Sequence, residues 1–267
     1  MTRKTPSTHC AGGAAVLTTE LYSRYSRHLL LDNFDEEAQL QLMQSKVMLF
    51  GCGGLGCQVA MALVSAGVGE IVLVDHDIVE LSNLPRQWLF TEADAGQKKV
   101  CAARSRLAAM HGGCQIRCID DPADPVRLAT HLPYCSLLLD CTDSVSSRKF
   151  VNGLALEHKL PLISASAAGF AATALALNPA SGSACYECME QIGEHSQMCM
   201  EQGIFSPVVA IAGQFQASLA LSYLCGIQPV DFGQLHVYDG RALTLRHFRV
   251  NKNTACPACS NNIGGTP

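Results

Sequence analysis

The chain has 267 residues, of which 48 % are apolar and 16 % are charged, and its formal net charge is −4. This small negative charge excludes a polybasic protein that binds nucleic acid or anionic membranes through bulk charge. The apolar content is sufficient for a large core, so disorder is expected only at the chain ends. The 14 cysteines are too few for a small disulfide scaffold, which makes a reducing cytoplasm the simpler location.

Two weakly polar segments, at residues 161–177 and 207–227, raise the question of a membrane span. Both are interrupted by Ser, Gly or Gln. Neither therefore has the uninterrupted apolar run of about 18 residues that marks a spanning helix. We expect buried core elements in both places and no membrane partner.

The composition divides the chain into one folded unit and two short ends. Residues 1–20 are rich in Thr, Ser, Ala and Gly without periodicity, which is typical of a flexible lead-in. Residues 261–267 form a flexible polar tail. A single domain is predicted over residues 21–260.

Strand-like and helix-like patterns alternate along this domain. Buried strands are predicted at residues 46–50, 70–75, 115–119 and 136–140. Helices are predicted at residues 55–66, 97–110 and 148–158. There follow a strand at 162–164, a possible hairpin partner at 170–177, a long polar connection at 179–204, a helix at 207–225 and strands at 235–238 and 243–250. This order predicts an α/β fold with a Rossmann-like doubly wound sheet, parallel in its first half and mixed in its second.

A glycine cluster follows the first predicted strand and opens the first predicted helix. It contains Gly51, Gly53, Gly54 and Gly56, in the context that a dinucleotide-binding fingerprint requires. Glycines let phosphate oxygens approach backbone N–H groups, and the helix N-terminus adds partial positive charge. Asp75 ends the next strand, where a carboxylate can accept hydrogen bonds from ribose hydroxyls. The sequence therefore predicts a nucleotide site.

The glycine cluster alone leaves other interpretations open. Its residues can simply permit a tight turn against the sheet. Even with Asp75 the fingerprint does not identify the nucleotide, and the default would be NAD in a dehydrogenase.

Cations and a second acid favour ATP over a dinucleotide. Asn83 and Arg86 follow the second strand, Lys99 opens the next helix, and Asp143 lies just past the strand at 136–140. All fall on the side of the sheet where the parallel strands end, which is where such sheets bind ligands. A triphosphate undergoing substitution needs Arg and Lys clamps and a carboxylate for Mg²⁺. Solvated charges, and a helix cap at Asp143, are the alternatives.

Two Cys-x-x-Cys pairs lie 67 residues apart: Cys185 with Cys188, and Cys256 with Cys259. Four thiolates in this arrangement make a closed tetrahedral zinc site. One pair alone would also fit a redox couple, but two pairs in a cytoplasmic protein favour structural zinc. The ion would fix the 179–204 connection to the C-terminal region.

Cys199 lies outside both pairs, in a polar stretch of the same connection. Exposure would make its thiol reactive, whereas most free cysteines are inert apolar fillers. The sequence leaves both roles open.

Taken together, these residues resemble the ThiF/MoeB/HesA family, relatives of ubiquitin-activating enzymes that adenylate the C-terminal glycine of small ubiquitin-fold sulfur carriers. The resemblance runs over residues 22–259. It is carried by residues 24–27, 51–56, 82–87 and 140–143 and by both cysteine pairs. Residues 162–170, and the short tail after the second cysteine pair, place the chain nearer to ThiF than to MoeB.

The resemblance implies an ATP-dependent nucleotidyltransferase that uses Mg²⁺ and holds a structural Zn²⁺. It implies that Gly54 lies against the phosphates, that Asp75 holds the ribose and that Asp143 binds Mg²⁺. The residues that it assigns to the triphosphate are Asn83, Arg86 and Lys99.

The same resemblance implies the partners. Arg27 would reach the ATP of a neighbouring subunit, which implies a homodimer. The substrate would be a ThiS-like carrier ending in Gly-Gly, from thiamine thiazole synthesis, or alternatively a MoaD-like carrier from molybdenum cofactor synthesis. Cys199 matches the cysteine that becomes joined to the carrier during sulfur transfer in ThiF-like members. The sulfur donor would be a separate protein.

Two residues depart from the family pattern. Pro85 stands where Gln or His is usual, and Ser144 stands where Asn is usual. Because proline fixes a backbone torsion and lacks an N–H, we expect the loop that carries Arg86 to be positioned differently. A zinc-containing protein that binds a carrier without catalysis is therefore an alternative.

Overall fold

The computed structural model describes residues 16–121, 124–190 and 203–260. In this part of the chain, eight strands form one sheet. The strands are β1 Lys46–Phe50, β2 Glu70–Val74, β3 Gln115–Ile119, β4 Leu137–Asp140, β5 Leu162–Ala168, β6 Ala171–Leu177, β7 Gln234–Asp239 and β8 Thr244–Arg249. The helices are α1 Thr19–Tyr25, α2 Glu36–Gln44, α3 Gly54–Ala66, α4 Lys99–Met110, α5 Pro125–Ala129, α6 Val145–His158, α7 Tyr186–Glu190 and α8 Ser206–Cys225.

The sheet order is β3-β2-β1-β4-β5-β6-β7-β8. The pairs from β3 to β5 are parallel, and those from β5 to β8 are antiparallel. The predicted fold class is thereby confirmed. Phe50 of β1 is in register with Val74 of β2 and with Asp140 of β4. The loops that follow these three strands therefore leave the sheet side by side.

The central strands are buried on both faces, as their near-continuous apolar runs indicate. Val47 and Leu49 of β1 pack in one core with residues of α3, α4 and α8. Met48 and Phe50 pack in a second core with residues of α6. Alternate side chains thus face opposite helical layers, which is the doubly wound arrangement.

Helix α8 is long and apolar enough, by length and composition, to cross a membrane, with a mean hydropathy of 1.5 and 56 % burial over its apolar window. It packs against α3, β5 and β6. Ala212 and Ala220 are fully buried. These contacts make it a core helix of the fold, as predicted for this segment.

Two element ends differ from the predicted ones by three residues or more, because of local hydrogen bonds. Strand β5 continues to Ala168, beyond the predicted end at residue 164, because it pairs with β6 as far as Ala171. Helix α6 begins at Val145 instead of residue 148, because Ser144 Oγ accepts a hydrogen bond from Ser147 N at 3.1 Å. Ser144 is therefore the N-cap of this helix.

The two segments that the sequence marks as irregular contain regular structure. Helix α1 begins within the lead-in predicted over residues 1–20, and Leu17 is buried with its N–H bonded to Glu36 Oε1 at 2.8 Å. Helix α7 lies in the connection predicted over residues 179–204, of which residues 191–202 are outside the described part.

Candidate active site

A cavity of about 1510 Å³ lies over the ends of β1, β2 and β4, where Phe50 and Val74 line it. Its lining continues over the sheet to β7 and β8. Eight of the predicted site residues line it: Gly51, Gly53, Gly54, Asp75, Asn83, Arg86, Lys99 and Asp143.

The glycine cluster connects β1 to α3 in a turn that side chains would obstruct. Gly51 has φ +91°, and a Cβ there would lie 2.8 Å from Cys141 O. A Cβ on Gly56 would lie 1.9 Å from Gly51 O, so the first turn of α3 packs directly on the loop. At Gly53, by contrast, the nearest atom to a built Cβ is 3.8 Å away. Gly53 is the N-cap of α3 and supplies no side-chain cap. The helix N-terminus therefore offers backbone N–H groups to an anion in the cavity.

Asp75 ties this loop to the end of β2. Its Oδ2 accepts a hydrogen bond from Cys52 N at 2.5 Å, and its Oδ1 accepts one from Asp77 N at 2.8 Å. The residue is 8 % exposed. Because a carboxylate oxygen has two acceptor sites, each oxygen can still accept a hydrogen bond from a ligand hydroxyl.

Lys99 is a buried cation with one strong partner. Its Nζ lies 2.7 Å from Asp77 Oδ2, and its side chain is 7 % exposed. Burial by itself would lower the pKa of Lys99, but the hydrogen bond to Asp77 and the charge of Asp75 outweigh it and raise this pKa. Burial would raise the pKa of Asp77, yet the bond to Lys99 and its charge lower it. Both groups are therefore charged at neutral pH.

Pro85 shapes the loop that carries Arg86. The N–H groups of Leu84 and Arg86 each bond to the carbonyl three residues earlier, at 3.2 and 3.1 Å. Pro85 cannot make the corresponding bond to Ser82 O. That carbonyl accepts instead from Arg86 Nη1, at 3.1 Å. Because Pro85 leaves the Ser82 carbonyl free, this carbonyl anchors the guanidinium of Arg86. The Arg86 guanidinium forms no ion pair with the described residues.

A buried polar network holds the backbone just before Asp143. Asp140 is 1 % exposed; its Oδ1 accepts from Thr142 Oγ1 at 2.6 Å, and its Oδ2 accepts from Ser164 Oγ at 2.7 Å. Arg148 Nη2 donates to Thr142 O at 2.7 Å. Asp143 itself is exposed on the cavity wall. The network thus fixes the loop while leaving this carboxylate available to a cation.

Gln216 extends the network from α8. Its Nε2 donates to Asp140 O at 2.9 Å and to Ile163 O at 2.8 Å, and its Oε1 accepts from Cys141 Sγ at 3.3 Å. Neither Gln216 nor Arg148 is among the predicted site residues. A fully buried Gln in an otherwise apolar helix is the signal that indicates such a partner.

Of the other residues predicted for the nucleotide and sulfur-transfer site, two do not line the cavity and a third is not described. Gly56 packs under the loop and does not line the cavity. Arg27 is exposed and also does not line it, so one chain alone does not bring this guanidinium to the site. Cys199 lies outside the described residues.

The four cysteines of the two pairs come together in the second core. The Sγ–Sγ distances are 3.9 Å for Cys185–Cys188, 3.7 Å for Cys185–Cys256 and 3.5 Å for Cys188–Cys259. All four residues are buried. A tetrahedral Zn²⁺ with Zn–S bonds near 2.3 Å places its sulfurs about 3.8 Å apart. The four thiols therefore fit this ion, and they leave no open position for catalysis.

The fold and the cavity define a class: a Rossmann-like protein with an open phosphate loop beside cations and acids. The ThiF family profile matches residues 25–258. The molybdopterin-synthase adenylyltransferase of Escherichia coli is 34 % identical over 246 residues, which cover 92 % of this chain and 99 % of the relative. The sulfur carrier protein ThiS adenylyltransferase of Escherichia coli is 34 % identical over 242 residues, which cover 90 % of this chain and 96 % of the relative.

Solved structures share the fold. The crystal structure of Escherichia coli MccB with ATP superposes with a TM-score of 0.77 at 24 % identity, over 88 % of this chain and 74 % of that one. PaaA gives a TM-score of 0.74 at 22 % identity, over 92 % of this chain and 78 % of that one. The chain belongs to the ThiF family. Its relatives are named adenylyltransferases, and its activity class is that of a nucleotidyltransferase.

Proposed function

We propose that this protein uses ATP and Mg²⁺ to adenylate the C-terminal glycine of a small ubiquitin-fold sulfur-carrier protein. The observation that carries the proposal is the convergence of an uncapped helix N-terminus with Arg86, Lys99 and Asp143 on one cavity. A hydride-transferring dehydrogenase does not need these charges at the pyrophosphate, whereas a triphosphate that undergoes substitution does. The names of the two bacterial relatives agree with this activity.

Each residue has a role that follows from its position. Gly54 lies at the start of α3, against the phosphates, and Asp75 accepts hydrogen bonds from the ribose. Asp143 holds Mg²⁺, for which an exposed carboxylate is a suitable ligand. The triphosphate is bound by Asn83, Arg86 and Lys99.

The mechanism follows from these charges. The terminal carboxylate of a carrier is anionic at neutral pH, so it needs no general base before one of its oxygens attacks the α-phosphorus. Its approach is opposed by the negative triphosphate, and the cations of the site reduce that repulsion. A new O–P bond forms as the bond to the β-phosphate oxygen breaks. The products are an acyl-adenylate and pyrophosphate.

The far half of the cavity suits the carrier's tail. Its floor includes the small residues Ser166, Ala167 and Thr173, and its wall includes Leu235 and Val237. An extended Gly-Gly segment requires little width, so it can cross such a floor to reach the phosphates from the antiparallel half of the sheet.

We infer a ThiS-like carrier from thiamine thiazole synthesis as the substrate, because residues 162–170 are nearer to those of ThiF. A MoaD-like carrier is the alternative, since relatives of both kinds are equally similar at 34 % identity. We further propose a cytoplasmic homodimer with Arg27 acting on the neighbouring subunit, one Zn²⁺ in the cysteine cluster, and a separate sulfur donor.

The first experiment identifies the nucleotide by thermal shift. ATP with Mg²⁺ should raise the melting temperature, and NAD should not. Asp143→Ala should remove the stabilisation that requires Mg²⁺, whereas Glu157→Ala, an exposed acid outside the cavity, should keep it. Stabilisation by NAD alone would contradict the proposal.

The second experiment measures exchange of labelled pyrophosphate into ATP. The exchange should require a carrier ending in Gly-Gly and should be lost in Asp143→Ala. Parallel assays with ThiS-like and MoaD-like carriers identify the substrate. ATP binding without exchange for any carrier would indicate a binding protein without catalysis.

A further inference from the structure

Gln87 lies in the wall of the cavity with its side-chain amide unsatisfied. The residue is 3 % exposed. Its Oε1 is buried without a hydrogen-bond partner. Its Nε2 makes no hydrogen bond to any residue within 16–121, 124–190 or 203–260, but this atom is accessible and not enclosed as Oε1 is. The cavity is the open space that this amide borders.

The backbone of Gln87 keeps the amide in this position. Its N–H donates to Asn83 O at 3.0 Å, and its carbonyl accepts from Phe90 N at 3.1 Å. Oε1 is unfavourable for the folded state, since it has lost its hydrogen bonds to water without gaining a partner. The Nε2 donor at the other end of the amide has no partner of its own and is therefore free to donate to a ligand in the cavity.

The phosphate loop is what this amide faces. A Cβ built on Gly53 would have Gln87 Nε2 as its neighbour at 3.8 Å, with nothing else closer. Gly53 is also the uncapped N-terminus of α3. An –NH₂ donor therefore stands beside backbone N–H donors that have no partner of their own. Such a set of neutral donors fits the oxygens of one phosphate group.

We propose that Gln87 Nε2 donates a hydrogen bond to the phosphate group that occupies the Gly53 turn, as a further nucleotide-binding residue. The assignment rests on the proposed ATP-dependent function. Arg86 and Lys99 neutralise the charge of the triphosphate, whereas Gln87 fixes the position of one phosphate without adding charge. A neutral donor keeps this contact after pyrophosphate has left and the charge of the ligand has fallen.

The test compares two variants that have similar volumes. Gln87→Met removes both ends of the amide and should weaken ATP–Mg²⁺ binding about 10-fold, as expected for a hydrogen bond to a charged group. Its melting temperature without nucleotide should be unchanged or higher, because an unsatisfied polar group is lost. Gln87→Glu should weaken binding further, since its carboxylate repels the phosphate. Titration calorimetry and thermal shift measure both quantities without a carrier.

Gln39→Met is the matched control. Gln39 is also buried with an unpartnered Oε1, but its Nε2 donates to Ala66 O at 3.0 Å and it does not line the cavity. This variant should have a lower melting temperature and wild-type ATP affinity. Wild-type affinity in Gln87→Met would overturn the assignment, whether or not its melting temperature falls. A wild-type protein that does not bind ATP–Mg²⁺ would overturn the proposed function as well, so the two failures are distinguishable.

Discussion

The ammonium group of Lys99 stays charged in a buried position because Asp77 lies 2.7 Å away. The half-exposed Asp77 remains in contact with water, which reduces the energy of the pair. The pKa of Lys99 is raised and that of Asp77 is lowered. The pair thus persists throughout the physiological range, and the cation available to a triphosphate does not titrate there.

This ion pair predicts a stability difference that depends on pH. Asp77→Asn should lower the free energy of unfolding at pH 7 by about 1 kcal/mol, because Lys99 loses its partner. The pKa of Asp77 is lower in the folded state, so its contribution is complete above the unfolded pKa and disappears as pH falls through the folded one. Urea unfolding of both proteins at pH 7 and below pH 3 measures this. An equal difference at both values would contradict the prediction.

Replacement of Cys199 distinguishes the two proposed half-reactions, adenylation and sulfur transfer. Adenylation uses phosphate-binding groups, so Cys199→Ser should retain carrier-dependent pyrophosphate exchange. If Cys199 delivers sulfur, the variant should fail to form the carrier thiocarboxylate, and mass spectrometry should find no carrier adduct. Full thiocarboxylate formation by this variant would favour the MoeB-like alternative. Loss of exchange would show that this cysteine shapes the nucleotide site.

At the scale of residues, the motif-based predictions and the structure agree where chemistry depends on backbone geometry. Gly51 and Gly53 could be placed because strand, loop and helix follow one another in the sequence. Gln87 and Gln216 could not be, because Gly53 and Ile163, which their side chains approach, are distant in sequence and are brought near only by tertiary packing. Arg148 was missed because its bond to Thr142 O forms across the start of α6, which periodicity does not reveal.

At the scale of elements, the cysteine cluster joins α7 to the segment that follows β8. Cys188 lies in α7 and Cys185 immediately before it, while Cys256 and Cys259 lie in the second segment. The cluster lies in the same core as Tyr186, which lines the cavity. A metal here would therefore stabilise one wall of the cavity without touching a substrate.

Metal analysis should find one Zn²⁺ per chain in protein purified under reducing conditions. Cys256→Ser should lower the metal content and reduce the melting temperature by several degrees, because a closed four-thiolate site contributes directly to folding. Cys101→Ser, at an exposed cysteine outside the cluster, should change neither. Full stability after complete removal of metal by a chelator would contradict a structural role.

Elements with strong apolar runs, such as β1 and β4, were predictable because both faces are buried. The end of β5 was not, because Ser166, Ala167 and Ala168 have little strand propensity and are held in the strand by pairing with β6. The start of α6 was missed for a related reason: the cap at Ser144 is a local bond that apolar periodicity does not reveal.

At the scale of the whole molecule, the change from parallel to antiparallel pairing divides the cavity. The parallel half carries the phosphate loop and its charges, and the antiparallel half carries the apolar wall around Leu235. In the proposed reaction, ATP and the carrier's tail can therefore enter from opposite ends of the cavity and meet at the α-phosphorus. Arg27 does not line its own chain's cavity, so the role proposed for it requires a neighbouring subunit.

Active-site complementation tests that contribution. Arg27→Ala and Asp143→Ala should each be inactive in pyrophosphate exchange. After subunit exchange between equal amounts, half of the dimers are mixed and each contains one intact site, so about a quarter of wild-type activity should return. Each variant carried through the same procedure alone is the control. Full activity of Arg27→Ala, or no recovery in the mixture, would exclude the shared site.

Three thiols beside the phosphate loop have a consequence for the sulfur chemistry proposed around them. Burial raises the pKa of Cys57 to about 12 and raises the pKa of Cys52 and Cys141 well above the ordinary value. At pH 7 about one Cys57 in 10⁵ is a thiolate, the form that attacks disulfides, persulfides and alkylating reagents. A sulfur donor of the kind proposed would therefore leave these three thiols unmodified, and a maleimide will label the exposed Cys101 well before them.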